Sequence, residues 1–142
     1  MIRELTTVEV ASAEFAELLR LAVEVDTAAL DSITRNELPL LTILGIVESD
    51  RVVAFVAFDA DHEPVTIEYI AVDERVRDHG WGRSLVASVR TRAGGRPVYA
   101  QTDDDAVDFY RKLGFTISDG LPDPRWPDRR RYDCLLASPL PS

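Results

Sequence analysis

The sequence predicts an α/β (α+β) fold in which a mixed, mostly antiparallel sheet carries helices on both faces. Three observations predict it. Apolar and β-branched runs at Leu41–Glu48 and Arg51–Asp59 flank Ser49-Asp50 and read as a hairpin, which makes an antiparallel pair. The stretches Ser12–Val25 and Gly82–Ala93 repeat apolar residues at helical spacing. Later strands alternate with helices, a crossover arrangement that brings parallel neighbours into the sheet.

The elements follow in order. Ile2–Thr6 is a short strand. Ser12–Val25 places Phe15, Leu18, Leu19, Ala22 and Val25 on one helical stripe, with Ser12 as the cap. Thr27–Asn36 is a second, shorter helix. The hairpin follows, then turn residues at Ala60–Pro64 and a strand at Val65–Val72. A glycine-containing loop leads into the helix Gly82–Ala93, whose Leu85, Val86 and Val89 face inward and whose end is marked by Gly94-Gly95. Pro97–Gln101 is a strand, and Thr102-Asp103-Asp104-Asp105 caps a helix over Ala106–Leu113 that Gly114 ends. Phe115–Ser118 is a strand, Gly120–Asp128 a proline-dense loop, and Arg130–Ala137 the last strand before a proline-rich tail. With no repeat, low-complexity segment or linker, residues 1–142 are expected to form one domain.

Composition excludes several function classes. A chain of 142 residues with 46% hydrophobic content is long enough to bury its own core. The longest apolar run, Leu38–Val47, is interrupted by Pro39, Thr42 and Gly45 and falls short of a membrane span. Met1-Ile2-Arg3-Glu4 does not open a signal peptide. Cys134 is the single cysteine, so no intrachain disulfide forms and a reducing, cytoplasmic setting is expected. A net charge of −9 disfavours nucleic acid and leans toward cationic partners. Lys112 is the only lysine, which argues against Schiff-base chemistry, and no Gly-x-Ser-x-Gly elbow is present. His62, His79 and Cys134 make no metal-ligand spacing.

The loop Arg77-Asp78-His79-Gly80-Trp81-Gly82 carries the most chemistry. Glycines let backbone amides approach a ligand closely, and the helix start adds unpaired N–H groups and the positive end of its dipole. Such a place suits a phosphate or pyrophosphate. A Walker loop is excluded because Gly82 is followed by Arg83-Ser84. A dinucleotide fingerprint is excluded because Leu85 stands at the third glycine and the loop begins well after Val72.

The run Ile67-Glu68-Tyr69-Ile70-Ala71-Val72, followed by Arg77-x-x-Gly80-x-Gly82 and a helix, resembles the acyl-coenzyme A loop of the GNAT (GCN5-related N-acetyltransferase) superfamily. Ala106-Val-Asp-Phe109-Tyr110-Arg-Lys112-Leu-Gly114-Phe115 resembles that superfamily's second signature. The resemblance covers about residues 41–118. It implies acetyl-CoA or another acyl-CoA as co-substrate, lying in an opening between two splayed parallel strands. It assigns the pyrophosphate to backbone amides of Arg77, Asp78, His79, Gly80, Trp81 and Gly82, with Arg83 and Ser84 close by. The pantetheine arm falls along Ile70, Ala71 and Val72 like an added strand. The implied activity is transfer of an acetyl group to a primary amine by direct attack in a ternary complex. The alternative is a non-catalytic acyl-CoA-binding or regulatory module. The resemblance also implies dimers through terminal strands.

Glu68 is the candidate general base. In an alternating strand it shares a face with Thr66, Ile70 and Val72, where a carboxylate among apolar neighbours has its pKa raised. A β-bulge would break that alternation; the alternative is a solvent-facing or salt-bridged residue. By resemblance Tyr110 gives a hydrogen bond or proton to the departing thiolate; the alternative is a core tyrosine beside Phe109. Asp103 is a departure, standing where the family often has Asn against pantetheine; within Asp103-Asp104-Asp105 it reads foremost as a helix-start cap. Arg129-Arg130-Arg131 could grip a coenzyme phosphate or an anionic substrate, or form a solvated hairpin. Trp81 either packs the loop or borders the ligand, and Trp126 is placed to line an acceptor site. Acceptor loops fall at Thr27–Leu40 and Gly120–Asp128. The acceptor itself, a small-molecule or peptide amine, stays open among polyamine, antibiotic amine, amino acid, peptide N-terminus and protein lysine.

Overall fold

A computed structural model describes residues 1–137; the proline-rich tail lies outside the described residues. Among the described residues seven strands form one sheet: β1 (Arg3–Glu4), β2 (Thr42–Glu48), β3 (Arg51–Asp59), β4 (Val65–Val72), β5 (Val98–Thr102), β6 (Thr116–Asp119) and β7 (Tyr132–Leu136). Their spatial order is β1-β2-β3-β4-β5-β7-β6. Every pairing is antiparallel except β4 with β5, the mixed sheet expected from the sequence. The β2–β3 turn places Ser49 at φ 50° and Asp50 at φ 64°. Two successive left-handed residues match the right-handed twist of the strands they join.

Among the described residues five α-helices flank the sheet: α1 (Thr7–Val10), α2 (Ala13–Val23), α3 (Thr27–Ser32), α4 (Trp81–Ala93) and α5 (Val107–Lys112). Helix α1 is absent from the sequence reading. It is one turn made by a capping box in which the Thr6 hydroxyl accepts from the Glu9 amide and the Glu9 carboxylate accepts from the Thr6 amide. The Arg3 guanidinium also binds Glu9, and together these bonds hold the Glu9 carboxyl down to about 2. Helix α2 is capped by Ser12, whose hydroxyl accepts from the Phe15 amide. Helix α3 continues through a π turn at Ile33–Glu37 into a 3-10 turn at Leu38–Leu40, longer than the predicted Thr27–Asn36.

The sheet divides the core into two clusters. On one face Leu85, Val86 and Val89 of α4 and Tyr110 of α5 pack against Val56, Phe58, Val65 and Ile67. On the other, Phe15, Leu18 and Leu19 of α2 and Leu30 of α3 pack against Phe55, Ala57, Tyr69 and Ala71. Strand β3 is buried along nearly its whole length because helices cover both its faces. Among the described residues no helix is long and apolar enough to cross a membrane.

Candidate active site

The sheet comes apart in the middle of β4. Strands β4 and β5 pair only through Val65↔Val98, Thr66↔Tyr99 and Ile67↔Ala100. Beyond Ile67, β4 keeps its β3 partners, while β5 continues along β7 through Gln101↔Asp133 and Thr102↔Tyr132. The β3–β4 register shifts at the same place: Ala57 faces Tyr69 and Phe58 faces Ile67, leaving Glu68 as the extra residue of a β-bulge. A bulge bends and twists its strand. The free edge of Glu68–Val72 therefore presents backbone groups without a strand partner on the β5 side.

Two clefts line this split and meet at Leu21 and Ile70. The first, about 420 Å³, is lined by Ile70, Ala71, Val72, Arg77, Gly80, Gly82, Arg83 and Phe109 together with Leu21. Its floor is set by the chain after β4. Asp73 accepts from the Arg75 amide at 2.9 Å and pairs with its guanidinium, bonds that hold the Asp73 carboxyl down to about 2. A 3-10 segment follows at Glu74–His79, and Gly80, at φ 73°, turns the chain into α4. A β-carbon there would be strained. The first bond of the new helix runs from the Ser84 amide to the Gly80 carbonyl, so the amides of Trp81, Gly82 and Arg83 precede the helical ladder. Gly82 has a different reason to be glycine: a β-carbon would stand 3.1 Å from the Phe109 ring.

Seven of the predicted coenzyme residues thus converge on this cleft: Ile70, Ala71, Val72, Arg77, Gly80, Gly82 and Arg83. The Arg77 guanidinium also donates to the Val72 carbonyl at 3.3 Å. Asp78 and His79 are exposed on the outside of the loop and do not line the cleft, and Ser84 lies within α4. Trp81 packs its ring on the α4-side core, edge-on to His79 at 6.2 Å. Its indole N–H is buried without a hydrogen-bond partner among the described residues.

The second cleft, about 350 Å³, opens where β4 and β5 diverge, between the C-terminal end of α2 and the loop before β7. Glu68 lines it. Glu68 is an exposed residue, yet partial desolvation in the cleft raises the pKa of its carboxyl. Repulsion from Glu37 adds to this, attraction to Arg125 opposes it, and Asp59 adds a smaller repulsion. The expected alternation does not hold. The bulge resets the pattern, so Ile67 and Ile70, three residues apart, both face the α4-side core, and Glu68 does not continue the Ile70 and Val72 row. Tyr69 turns to the opposite side, where its hydroxyl donates to Glu37 Oε1 at 2.5 Å and accepts from Arg125 at 3.2 Å.

The wall opposite Glu68 was only partly legible. Trp126 donates its indole N–H to the Val23 carbonyl at 2.9 Å, tying the proline-dense loop to α2. The guanidinium groups of Arg125 and Arg131 lie over its ring at 4.5 and 4.7 Å. Arg129 pairs with Glu24 at 2.7 Å and Asp103 at 2.8 Å. The solvated-hairpin reading of the three arginines is corrected: Arg130 reaches out to Asp119, but Arg129 and Arg131 line the cleft, and Arg131 is only 9% exposed. The proline-rich loop folds the chain back over the cleft mouth, which charge patterning along the sequence does not reveal.

Asp103 also lines this second cleft. Its carboxylate accepts from the Asp105 amide at 3.0 Å, and its carbonyl accepts from the Ala106 and Val107 amides. It shapes the turn into α5, but the residue at the cap position is Ala106, without a side-chain cap. Tyr110 lies away from both clefts. It is 4% exposed and stands edge-on between Phe109 at 5.1 Å and Phe115 at 5.3 Å. Burial, and secondarily Cys134, pushes its hydroxyl pKa up. Phe109, its neighbour, is the residue of this helix that reaches the first cleft.

A mixed sheet split at one parallel junction, with a glycine turn and a helix start beside the split, is the arrangement that the resemblance to the GNAT superfamily implies. Residues 41–117 match the family model for the acetyltransferase (GNAT) domain, and the chain belongs to the GNAT acetyltransferase family. No curated protein matches the sequence. Among solved structures, the chain is similar over its full length to an aminoglycoside 6′-N-acetyltransferase complexed with coenzyme A, with TM-score 0.78, 20% identity and 99% of that chain covered. It is also similar over its full length to the aminoglycoside 6′-N-acetyltransferase of Enterococcus faecium (TM-score 0.75, 20% identity, 99% of that chain). The ribosomal-protein-S18-alanine N-acetyltransferase of Escherichia coli gives TM-score 0.76 at 16% identity, with all of this chain and 96% of that chain covered. At these identities the likeness is one of fold. Among the described residues no group of His, Cys, Asp or Glu is placed to hold a metal.

Proposed function

We propose that this chain acts as one acyl-CoA-dependent N-acetyltransferase domain, moving an acetyl group from acetyl-CoA to a primary amine. The observation that carries this reading is the unpaired β4 edge at Glu68–Val72, which runs between the α4 amide cradle at one end and the Glu68 carboxyl at the other. Acetyl-CoA supplies the activated thioester. The free edge can take its pantetheine amides as an added strand would be taken. The amides of Trp81, Gly82 and Arg83 face the pyrophosphate with the positive end of the α4 dipole behind them.

The acceptor enters the second cleft as an ammonium and must lose a proton before its nitrogen can attack. A carboxyl whose pKa is raised toward neutrality is suited to take that proton, directly or through water. The amine nitrogen then bonds to the thioester carbon, the C–S bond breaks, coenzyme A leaves as its thiolate, and the second proton shed by the nitrogen goes to that thiolate or to water. Backbone amides along the β4 edge are positioned to steady the oxyanion. The surroundings of Tyr110 support a packing role rather than that of thiolate donor. That same burial is the observation favouring the second reading, a non-catalytic acyl-CoA-binding module, which steady release of free coenzyme A in the presence of an amine would exclude.

The test is calorimetric titration with acetyl-CoA and with coenzyme A, beside a Gly82→Trp variant whose fold is checked by its thermal melt. We expect micromolar binding to the unaltered protein and at least ~100-fold weaker binding to the variant, because an indole at this position fills the cleft beside Phe109. Equal binding by both proteins places the coenzyme elsewhere, and no binding to either removes the transferase reading.

A further inference from the structure

The second cleft holds a buried cation whose donors its protein neighbours leave open. Arg131 is the only charged residue buried among the described residues, and it lines this cleft and not the coenzyme cleft. Its Nε has no hydrogen-bond partner there. Its nearest carboxylate, on Asp103, stands 4.0 Å from Nη1, beyond hydrogen-bond reach. Asp103 is also committed elsewhere, to Arg129 at 2.8 Å and to the Asp105 amide at 3.0 Å. The Trp126 ring covers a face of the guanidinium at 4.7 Å, which satisfies stacking and leaves the in-plane donors free. A guanidinium withdrawn from water in this way is stabilised when an anion supplies the missing partner, and its planar fork fits a carboxylate.

The charge around it points the same way. The cleft is lined by the carboxylates of Glu24, Glu68, Asp103 and Asp105 and by the guanidinium groups of Arg125, Arg129 and Arg131. Four against three is close to balance in a chain whose net charge is −9. The acidity of the molecule is therefore not focused on its acceptor cleft, and a polycation gains little there. A molecule bearing both signs finds both. Arg125 and Arg131 both lie over the Trp126 ring, and Glu68 lines the same cleft as that ring and the buried guanidinium.

We propose that the acceptor is a small amine carrying a carboxylate, an amino acid or short peptide, with its amine toward Glu68, its carboxylate on Arg131 and its carbon skeleton against Trp126. This rests on the acetyltransferase reading above. The reaction balances as before: the ammonium gives one proton to Glu68, the N–C bond forms, the C–S bond breaks, and the second proton shed by the nitrogen goes to the leaving thiolate or to water.

The test measures thiol release from acetyl-CoA with free amino acids and dipeptides, each beside its own carboxamide, and with a polyamine and an aminoglycoside. We expect at least one acid to exceed its carboxamide by about tenfold or more in kcat/KM, the discrimination a charged hydrogen-bonded pair supplies. Arg131→Gln is expected to raise KM for that acid about tenfold or more and abolish the preference over the amide, with acetyl-CoA affinity unchanged, and Arg131→Lys to restore part of it. Should the variants fold poorly, the acid-against-amide comparison in the unaltered protein decides alone. Equal use of acid and amide, preference for the polyamine or aminoglycoside, or bound acetyl-CoA with no amine turned over would each overturn the proposal. So would preference for succinyl-CoA with uncharged amines, which would assign Arg131 to the acyl tail. Failure to bind acetyl-CoA at all would instead defeat the acetyltransferase reading on which it stands.

Discussion

The two clefts share Leu21 and Ile70 but are built from opposite materials. The coenzyme cleft is a backbone construction: a strand edge, a left-handed glycine and the first amides of a helix, closed by apolar side chains and two arginines. The second cleft is a side-chain construction, in which Arg125, Arg129 and Tyr69 are each fixed by a neighbouring carboxylate. A site made of main chain tolerates most substitutions and fails where a β-carbon intrudes. A site made of paired side chains changes its preference with single substitutions.

The sharpest way to test this division is Glu68→Gln. Glutamine keeps the shape and removes the base, so kcat at neutral pH is expected to fall by ~10²–10⁴-fold while acetyl-CoA affinity in calorimetry stays within about twofold. Equal loss of binding and rate would show that the clefts are not separable at Glu68. In the unaltered enzyme, the rate should fall on the acid side with an apparent pKa above the ordinary carboxylate range, because desolvation, Glu37 and Asp59 together outweigh Arg125.

A smaller effect tests the core behind both clefts. Tyr110→Phe removes a hydroxyl and keeps the ring packed between Phe109 and Phe115. Turnover within about threefold of the unaltered protein is expected, whereas Tyr110→Ala should lower unfolding free energy by about 3–5 kcal/mol in urea. A hundredfold drop in kcat for Tyr110→Phe, with coenzyme affinity intact, would return the hydroxyl to the chemistry.

The same division explains what was legible in the sequence. The coenzyme cleft comes from neighbouring stretches, Ile70–Arg83 and the helix bearing Phe109, so local glycine and apolar patterning exposed it. The succession of strands along the chain, the hairpin turn at Ser49-Asp50 and the helices on both faces were legible for the same reason. The second cleft joins Glu24, Glu68, Asp103 and Arg131, which no local pattern connects. Arg131 looked like one member of a solvated run because burial depends on how the Gly120–Asp128 loop folds back onto α2 through Trp126. The Glu68 bulge escaped because one added residue leaves no mark in an otherwise alternating strand. Helix α1 was missed because four residues are too few to show periodicity, although Thr6 and Glu9 already spell a capping box.

The smallest expected effect sharpens the comparison through stability. A carboxyl whose pKa is raised by folding binds its proton more tightly in the folded state than in the unfolded chain. Between the ordinary glutamate value of about 4.3 and the higher folded value, the folded protein holds more protons, so stability falls as pH rises. The contribution of Glu68 is fully present below the unfolded pKa and is lost as pH passes the folded one. At neutral pH the ionised group thus weakens the fold, which is the physical condition for its use as a base. Glu68→Gln has no such titration. The difference in melting temperature, variant minus unaltered protein, should therefore be more positive at about pH 7 than at about pH 4. Arg125 offsets only part of this, because desolvation and the Glu37 carboxylate together outweigh its attraction. A difference that grows more negative with pH would mean that Arg125 stabilises the ionised carboxylate after all, and Glu68 would then be a structural ion-pair partner rather than a poised base.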